Sequence, residues 1–541
     1  MSILLVRPPF LPTGFDQQLQ EPLNLEYLAA VLRRDGFAVR LLDAEFSELD
    51  VPGILREIEA DRPELIGISL MSSGALAGTL ELVEGIRQGA ARQSHITVGG
   101  QFPTFNTEYM LRMAPGVDSA VLFEAETAIG PLADRVLRRG GDWRDAPGIA
   151  FRPDGGPAIH RTAKAPPLVD LDRLPFPSRD LLPRALQLGL NPSVLSSRGC
   201  SGHCSFCTIH GFLRESSGKA WRGRSPANVV AEIRQLAECF EVGEIGFLDD
   251  DFIGTHGEGK ARAAAIADRL IRENLQVLFN LECRPDMVER ELFAKLRDSG
   301  LRSVFVGVES VTPATLKLFD KPSLREASFR ALDTLAELGI EADVGFILYH
   351  PYSTMDEVRE GFEFLKRYGQ CDIHTALNRL FVAAGAPLRE RLMREGRLIA
   401  GGSGRSVIVH DYEFADPRVG TLWAILHVVV QPLFPWWYNA IKQYRRLRAE
   451  RKFAAGLQEH DARMARLRSF TGDVDRVVEE CFDAAFDYAS GRNRDGEDIL
   501  MFSRRLRQEA RDEVQSLARA ASCEECLGDG SATTFSRSAV P

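Results

Sequence analysis

"SSRGCSGHCSFCTIHGF", residues Ser196–Phe212, contains Cys200, Cys204 and Cys207, three of the nine cysteines in a chain of 541 residues. Their spacing, C-x3-C-x2-C, matches neither the paired short spacings of a structural zinc site nor an evident disulfide pattern. Three thiolates from one short loop can bind three irons of a four-iron cluster. Because no fourth cysteine lies nearby, the fourth iron would be open to a ligand from outside the protein.

Zinc is the alternative metal for this loop. Structural zinc takes four ligands, and His203 or His210 would complete a set with the cysteines. Chance clustering is disfavoured by the position of the loop, which directly follows the first strand of a barrel-like segment. The residues alone therefore leave zinc open beside an iron–sulfur cluster.

Composition and charge narrow the class of protein. The net charge is −10, from 66 Lys and Arg against 76 Asp and Glu, which argues against a general nucleic-acid binder. The N-terminal sequence MSILLVRPPF lacks the features of a signal peptide. Scattered cysteines indicate a reducing compartment. We therefore expect a cytoplasmic protein.

The first 150 residues alternate short apolar strands with amphipathic helices. The predicted strands are SILLVRPP, AVRLLDA, LIGISLM, HITVGG and SAVLF. Strands separated by helices predict a parallel, doubly wound sheet, and continuous apolar strands indicate burial on both faces. Gly36 is expected to end the first helix.

The chain from residue 151 onward divides into segments that differ in composition and in apolar periodicity. Residues 151–190 are rich in proline and are predicted to be a linker. Residues 191–400 contain five or six strand–helix units, beginning with the strand SVLSSRG, which predicts a partial or full α/β barrel with functional residues at the carboxyl ends of the strands. Residues 401–520 are predicted to be mostly helical, and residues 521–541 to be disordered.

One apolar run, Val419–Tyr438, is long enough to suggest a membrane span. His427, Gln431, Pro432 and Pro435 interrupt it, so we predict a buried helix and no transmembrane span. Contact with a membrane surface or an apolar substrate is the alternative. The basic run that follows is interpreted as a solvated helix face.

The motif CSGHCSFC resembles the cysteine loop of the radical S-adenosylmethionine superfamily, in which an aromatic residue such as Phe206 commonly precedes the last cysteine. The resemblance implies a [4Fe-4S] cluster held by Cys200, Cys204 and Cys207. It further implies that S-adenosylmethionine chelates the open iron and is cleaved by one electron to a 5′-deoxyadenosyl radical. The protein would supply ligation, orientation and exclusion of water.

Further residues match the ends of barrel strands in that superfamily. The resemblance implies cofactor contacts from Asp249 in FLDDDF, from Arg284 in ECRPD, and from Glu309 and Ser310 in VFVGVES. Arg284 is suited to pair with the methionine carboxylate. For each residue, a buried or ion-paired structural role is the alternative.

The segment GFILYHP corresponds to a Gly-Phe-Ile-x-Gly-x-Pro pattern that the superfamily often places beside the adenine. Gly345 and Pro351 match it, whereas Tyr349 replaces the second glycine. Gly345 is therefore a predicted cofactor contact. Tyr349 and His350, near a predicted strand end, are predicted catalytic residues on the substrate side.

The N-terminal segment resembles the cobalamin-binding domain that precedes the radical domain in one large subgroup. The matching pieces are EPLNLEYLAAVLRRDGFAVRLLDA, IGISLMSS, VGGQFPT and FEAE. Gly99 and Gly100 would let the backbone approach the nucleotide tail closely. Ser69, Ser72 and Ser73 would offer hydroxyl groups to it.

Two departures from the subgroup concern the cofactor. Family members commonly have Gly-Glu-Gly-Glu where this chain has FEAE, so Phe123 and Ala125 replace glycines. The first histidine is His95, so no histidine lies in the loop after the first strand, and ligation of cobalt by such a residue is excluded. A doubly wound domain without a cofactor is the alternative.

Together these features predict a cobalamin-dependent radical enzyme that methylates an unactivated carbon in a biosynthetic pathway. The alternatives are a radical enzyme that catalyses cyclisation, dehydration or rearrangement, and a non-catalytic metal-binding protein. The expected partners are a small-molecule or natural-product substrate and an electron donor such as flavodoxin or ferredoxin. Trp423, Trp436 and Trp437 suggest a large or apolar substrate.

Overall fold

The computed structural model describes residues 2–10, 20–138, 140–153, 156, 158–399, 411–450, 457–491 and 496–520. The described chain forms two compact units. The first comprises the residues up to Val306 with Asp333–Ala342 and Ala383–Arg389, and the second comprises Gly307–Leu332, Asp343–Val382 and the described residues from Glu390 onward. The predicted tail, 521–541, lies outside the described residues.

The first sheet has seven strands in the order β2-β1-β3-β4-β5-β6-β7. They are β1 (Ser2–Arg7), β2 (Ala38–Asp43), β3 (Leu65–Ser69), β4 (His95–Gly99), β5 (Ser119–Val121), β6 (Ile149–Phe151) and β7 (His160–Arg161). Strands β1 to β5 are parallel, as predicted, and β6 and β7 add an antiparallel edge. This edge extends the sheet into the stretch that was predicted to be a linker.

The helices of this part are α1 (Leu23–Arg34), α2 (Val51–Asp61), α3 (Leu76–Gln88), α4 (Gln101–Phe105), α5 (Thr107–Met113) and α6 (Ile129–Leu137). Helix α1 ends as expected, because Gly36 adopts a left-handed φ of 84°. Apolar side chains of β1, α1 and α6 form a common core, which includes Ile3, Leu5, Ala29, Leu32, Leu132 and Ala133. This packing fixes the carboxyl ends of the parallel strands at one edge.

The second sheet has five strands in the order β14-β13-β12-β11-β8. After α7 (Leu182–Gln187), the elements are β8 (Ser193–Val194), β9 (Ser197–Gly199), α8 (Ile209–Ser217), β10 (Trp221–Gly223), α9 (Pro226–Phe240), β11 (Glu244–Phe247), α10 (Glu258–Arg272), β12 (Leu278–Cys283), α11 (Arg290–Asp298), β13 (Leu301–Glu309), α12 (Pro313–Leu318), α13 (Arg325–Leu338) and β14 (Glu341–Phe346). Strand β11 pairs in parallel with β8 and β12, and β12 with β13, which matches the predicted partial barrel.

Two details of this region bear on the sequence predictions. The sequence SPANVVAEIRQLAECF predicts a helix with Ser225 as its N-cap, and Ser225 does cap α9 by accepting the Asn228 backbone N–H at 3.2 Å. The prediction of one continuous strand over SVLSSRG was wrong, since the strand breaks between β8 and β9. Strand β9 then pairs antiparallel with β10 instead of continuing in the barrel sheet.

The second unit ends in helices. Its remaining elements are α14 (Met355–Arg367), α15 (Ile373–Leu377), α16 (Pro387–Arg394, which begins in the first unit), β15 (Leu398–Ile399), β16 (Asp411–Tyr412), α17 (Pro417–Val430), α18 (Phe434–Glu450), α19 (Leu457–Ser490) and α20 (Gly496–Ala520). Helix α17 packs against α19 and α20, and α18 against α19. The helical character predicted for this region is confirmed, while the domain boundaries remain predictions.

Among the described residues, one helical stretch, Pro417–Tyr444, is long and apolar enough to cross a membrane. A core helix of a soluble protein meets the same criterion by length and composition. One face of α17 is buried, including Leu422, Ile425 and Val429. The lack of a transmembrane span therefore stays a prediction, supported by this packing.

Candidate functional site

The cysteine loop lies between β9 and α8, and its three thiols are partly exposed. The backbone N–H of Gly202 points to the Cys200 sulfur at 3.3 Å, and that of Cys207 donates to the Cys204 carbonyl at 3.1 Å. The Leu388 N–H donates to the Ser205 carbonyl at 2.7 Å and holds the loop from another segment. Backbone contacts within the loop and one from a distant segment therefore hold it in place.

A cluster and a single zinc ion require different arrangements of the ligating side chains. Within the described residues, no three His, Cys, Asp or Glu side chains converge on a point where a single metal ion would sit. A four-iron cluster distributes its thiolates over separate irons and needs no such convergence. The two histidine rings that would have completed a zinc site, His203 and His210, instead pack on each other with centroids 4.3 Å apart.

A glycine sets the direction of the chain into the loop. Gly199 has a φ of 92°, a region that residues with a side chain rarely adopt. A Cβ atom there would lie 2.0 Å from the carbonyl oxygen of Ala220. Glycine is therefore required directly before Cys200.

Three predicted residues of the first unit lie around this loop. Phe206 is within it and partly exposed. Arg284 donates to the Ser201 hydroxyl at 2.8 Å and to Asp286 at 3.1 and 2.7 Å, which places a guanidinium beside the cysteines. Asp249 is buried, and its carboxylate is engaged by backbone N–H groups. Their roles toward a cofactor remain predictions, and the contacts of Asp249 favour a positioning role.

In the second unit, Glu309 ends β13 with a left-handed φ of 66°. Its carboxylate lies 3.2 Å from the Lys321 amine, which also donates to the Gly307 carbonyl at 3.0 Å. Lys321 is only 6% exposed, and no motif in the sequence singled it out. Ser310 is buried with its hydroxyl 3.3 Å from that of Thr312. Strain at a strand end beside a buried lysine is a feature often found at functional sites.

The predicted catalytic pair of the second unit is deeply buried. Tyr349 is 0% and His350 2% exposed. His350 Nε2 lies 2.9 Å from the Thr315 hydroxyl, and its Nδ1 accepts the Tyr352 N–H at 3.2 Å. Burial lowers the pKa of His350 to about 3. These contacts favour a structural role for His350, and the catalytic role stays a prediction. Gly345, in β14, is partly exposed.

A cleft with about 930 Å³ of unfilled space, part of it open to solvent, lies at the carboxyl edge of the first sheet. Of the predicted cobalamin contacts, Ser69, Gly99 and Gly100 line it. The Ser69 hydroxyl accepts a hydrogen bond from the Asn24 side chain at 2.7 Å. Ser72 does not line the cleft; its hydroxyl caps a turn by accepting the Gly74 N–H at 3.4 Å.

Gly99 and Gly100, two of the three glycines that line the cleft, have different reasons for lacking a side chain. Gly100 has a φ of 113°, and a Cβ there would lie 2.3 Å from the Leu70 carbonyl oxygen. At Gly99, a Cβ would meet nothing nearer than the Val121 carbonyl oxygen at 3.7 Å. The fold itself therefore demands Gly100, whereas Gly99 leaves open space that a bound group can fill.

The lining of the cleft also includes Arg198, from the strand β9 that enters the cysteine loop. Arg198 donates to Glu124 at 2.9 Å and to Glu126 at 2.6 Å, and Arg222 donates to Glu124 at 2.9 Å. Burial works against ionisation of Glu124, but Arg198 and Arg222 outweigh it and hold the pKa of that carboxyl below its ordinary value. Sequence reasoning missed Arg198, although its place two residues before Cys200 was a signal.

Phe123 also lines the cleft. It has a left-handed φ of 61°, although it is not glycine. Its ring contacts Phe212 of α8 with centroids 5.6 Å apart, and Phe212 contacts Phe105 at 6.0 Å. Phe123 and Phe212 both line the cleft. The segment after β5 therefore reaches both sides of the cysteine loop, at Arg198 and at α8.

Family models match both halves of this site. The B12 binding domain model matches residues 17–133, and the radical SAM superfamily model matches residues 194–365. The first match contains most of the residues that line the cleft, and the second contains the cysteine loop. The residues present fit both cofactors, since three thiols meet the ligand need of the cluster and a glycine-lined cleft suits a large corrinoid.

Three relatives are similar over about two thirds of the chain. An uncharacterised methyltransferase of Pyrococcus horikoshii is 28% identical over 388 residues, 69% of this chain and 81% of that protein. The hopanoid C-3 methylase of Methylococcus capsulatus is 29% identical over 383 residues, 68% of each. The anaerobic magnesium-protoporphyrin IX monomethyl ester cyclase of Rubrivivax gelatinosus is 26% identical over 380 residues, 68% of this chain and 66% of that protein.

Two solved structures share the fold. The cobalamin-dependent S-adenosylmethionine radical enzyme OxsB, with aqua-cobalamin and S-adenosylmethionine bound, superposes with a TM-score of 0.74 at 18% identity and covers 97% of this chain and 79% of its own. The radical S-adenosylmethionine methyltransferase TsrM of Kitasatospora setae, with cobalamin and a [4Fe-4S] cluster, gives 0.65 at 18% identity over 90% and 99% of the two chains.

Proposed function

Because this chain is a cobalamin-dependent radical S-adenosylmethionine enzyme, we propose that it transfers a methyl group to an unactivated carbon of a small-molecule substrate. When bound, the cluster and S-adenosylmethionine supply a radical that abstracts hydrogen, and cobalamin supplies the methyl group. The relatives named as methyltransferases support this outcome. The family also favours an enzyme over the non-catalytic metal-binding alternative.

The observation that carries the proposal is the shared wall of the cleft. Arg198 and Phe212, which flank the cysteine loop, both line the cleft that suits the corrinoid. The two binding regions thus belong to one compact unit and share side chains. Methyl transfer to a carbon radical requires that the radical source and the methyl donor serve one substrate, and this proximity meets that requirement.

The chain's own residues have assignable tasks in this proposal. Cys200, Cys204 and Cys207 bind the cluster, and Arg284 beside them orients a carboxylate. The aromatic side chains of the cleft wall exclude water from a reactive centre. An electron donor such as flavodoxin or ferredoxin, and a cytoplasmic location, complete the proposal.

Product analysis tests it. Anaerobically reconstituted protein with cobalamin, S-adenosylmethionine, a candidate substrate and a reduced flavodoxin or ferredoxin as the electron source should form S-adenosylhomocysteine, 5′-deoxyadenosine and a methylated product in equal amounts. Use of methyl-deuterated S-adenosylmethionine should move three deuterons into the product. Formation of 5′-deoxyadenosine with a rearranged or cyclised product, and without S-adenosylhomocysteine, would overturn methyl transfer.

That second outcome defines the competing function, a non-methylating radical reaction such as cyclisation. It is favoured by the similarity to the monomethyl ester cyclase of Rubrivivax gelatinosus, which covers nearly as much of this chain as the methylases do. The same assay distinguishes the two, because only methyl transfer consumes a second S-adenosylmethionine as a methyl source.

A further inference from the structure

Three consecutive carboxylates follow β11, at Asp249, Asp250 and Asp251. Asp249 is 1% and Asp251 0% exposed, whereas Asp250 between them is exposed. Burying carboxylates is costly unless each is hydrogen-bonded or paired with a cation. The partners of these side chains therefore indicate what the run is for, beyond the cofactor contact predicted for Asp249.

Asp249 binds the backbone at the break between β8 and β9. One carboxylate oxygen accepts the N–H of Ser196 at 2.6 Å and the N–H of Ser197 at 2.8 Å. The other oxygen accepts the Ser196 hydroxyl. Burial raises the pKa of Asp249 to about 6, while the Arg262 guanidinium opposes that rise. This one side chain thus takes three hydrogens from two adjacent residues.

The next two carboxylates contact the end of β9 and the cysteine that follows it. Asp250 accepts the Gly199 N–H at 3.0 Å. One oxygen of Asp251 lies 3.6 Å from the Cys200 sulfur, and its other oxygen accepts the Gly254 N–H at 3.0 Å. The run therefore contacts the chain from two residues after β8 up to the first cysteine.

The pattern has a simple cause in strand geometry. Alternate N–H groups of a strand point to the same side, and the other side of β9 is paired with β10. On the free side, the N–H groups of Ser197 and Gly199 would need another strand, and the carboxylates of Asp249 and Asp250 take its place. Carboxylate acceptors make stronger hydrogen bonds than carbonyl groups do.

Arg262 binds carbonyl groups of the same region. Its guanidinium donates to the Ser196 carbonyl, to the Arg224 carbonyl at 2.7 Å and to the Phe252 carbonyl at 3.1 Å. It is 8% exposed, so its positive charge compensates nearby buried carboxylates. Side chains therefore bind the N–H groups of Ser196 and Ser197 as well as the carbonyl of Ser196.

We propose that Asp249, Asp250 and Asp251 form a positioning clamp that holds residues 196–200 in the path required for Cys200 to bind the cluster. The clamp replaces a neighbouring strand, and Asp251 additionally places a carboxylate beside the sulfur of Cys200. The inference rests on the cluster assignment and is independent of whether the enzyme transfers a methyl group.

Iron retention tests the clamp. In the anaerobically reconstituted full chain, the rate of iron loss to a chelator is followed by the visible absorbance of the cluster. Asp249→Ala, which removes every acceptor, should lose iron roughly ten-fold faster than the original protein, because buried N–H groups are left unpaired. Asp249→Asn keeps an oxygen that can accept both N–H groups, so its rate should stay close to that of the original protein.

Asp43 offers a matched control elsewhere in the first unit. It is equally buried, at 0% exposure, and it also accepts backbone N–H groups, from Glu45 at 3.0 Å and Phe46 at 3.2 Å. Asp43→Ala should leave the rate of iron loss unchanged. Equal acceleration in Asp43→Ala and Asp249→Ala would overturn the clamp, as would an unchanged rate in Asp249→Ala.

Two further variants keep the test decisive if Asp249→Ala does not fold. Asp250→Ala removes only the bond to Gly199 and should accelerate iron loss by a smaller factor. Asp251→Asn removes a negative charge beside a cluster ligand, so the reduction potential measured by spectroelectrochemistry should shift to less negative values, with circular dichroism unchanged. An unaltered iron-loss rate in Asp250→Ala, or an unaltered potential in Asp251→Asn, contradicts the proposal.

Discussion

Two acidic segments contact the entry to the cysteine loop, and they use their carboxylates differently. The aspartates after β11 accept backbone N–H groups of Ser196, Ser197 and Gly199. The glutamates after β5 instead pair with the arginine side chains Arg198 and Arg222. The first segment thus determines the path of the main chain, and the second determines the charge balance of the cleft wall.

Side-chain length explains part of this difference. Aspartate has one methylene group, so its carboxylate reaches only groups that pack directly beside its own backbone, as the N–H groups of Ser196, Ser197 and Gly199 do here. Glutamate reaches further and, opposite the forked guanidinium of arginine, forms charge-assisted bonds between separate elements. Acidic runs that look equivalent in a sequence can therefore stabilise different levels of structure.

Both acidic segments contact the entry to the cysteine loop. We expect the largest effect of any substitution, the loss of the cluster, when one of the loop's cysteines is removed. Cys200→Ala, Cys204→Ala or Cys207→Ala should each abolish cluster binding, because a missing thiolate leaves an iron without a protein ligand. Iron and sulfide content after anaerobic reconstitution measures this. Cys239→Ala, at an exposed position on α9, is the control and should retain the full complement. Equal iron content in all four variants would show that the cluster is not bound by this loop.

The paired glutamates are tested by Glu124→Ala. This change leaves Arg198 and Arg222 partly unpaired at 14% and 2% side-chain exposure, and loss of one partner of a buried pair costs about 3–5 kcal/mol. Urea unfolding followed by circular dichroism should show the decrease in the free energy of unfolding.

Glu108→Ala is the matched control for that change. Glu108 pairs with Arg161 at about half exposure, so its loss should cost at most about 1 kcal/mol. If the two variants were equally stable, the buried arginines around the cleft would not depend on Glu124.

Cobalamin binding in the cleft is tested by substitutions at Gly99 and Gly100. Gly99→Ala adds a methyl group that the fold accommodates, so the variant should fold normally but bind hydroxocobalamin roughly ten-fold more weakly if a corrinoid lies against it. Gly100→Ala should lose about 1–3 kcal/mol of stability as well, because the residue requires a positive φ. Unchanged affinity in Gly99→Ala would show that the corrinoid does not approach this strand end. Binding is measured by absorbance titration, and stability by urea unfolding.

Asp475, a partly buried carboxylate of the second unit, supplies a contrast, because burial and neighbouring acids, rather than an arginine, set its pKa. Burial, reinforced by Asp372 and opposed by the Trp437 indole, raises the pKa of Asp475 to about 8. The folded chain therefore keeps a proton that the unfolded chain releases above about pH 4. The resulting stability is present at low pH and is lost as the pH rises from about 4 to about 8, at up to about 1.4 kcal/mol for each pH unit.

Asp475→Asn should remove this pH dependence. The melting temperature of the original protein should fall more between pH 5 and pH 8 than that of the variant, by a few degrees. Asp473→Asn changes a carboxylate that pairs with Arg476 near the surface and should behave like the original protein. If the melting temperatures of all three proteins changed equally between pH 5 and pH 8, Asp475 would not be protonated in the folded chain.

Several features were predictable because they depend on neighbours in the chain. The parallel strands, the cap of α9 and the end of α1 follow from apolar periodicity and from Ser225 and Gly36. The strand break before the cysteine loop was missed, because the sequence SVLSSRG has strand character throughout. Its cause is the carboxylate of Asp249, more than fifty residues later, which takes the N–H groups at the break.

The predicted site residues divide in the same way. Ser69, Gly99 and Gly100 line the cleft because consecutive parallel strands bring their carboxyl ends to one edge. Ser72, by contrast, is used to cap a turn. Arg198 and Lys321 were not recognised, since their importance comes from partners far away in the sequence.

The sequence by itself determined that one stretch of eight residues contains three thiols, and the resemblance of this loop to the radical S-adenosylmethionine superfamily implied the cofactors, whereas the spacing alone left zinc open. The alternation of strands and helices likewise determined the two α/β regions. Only the tertiary structure decided which acid meets a backbone N–H and which meets an arginine. The physical reason is that burial makes these partnerships strong, and burial depends on how distant segments pack rather than on their local order.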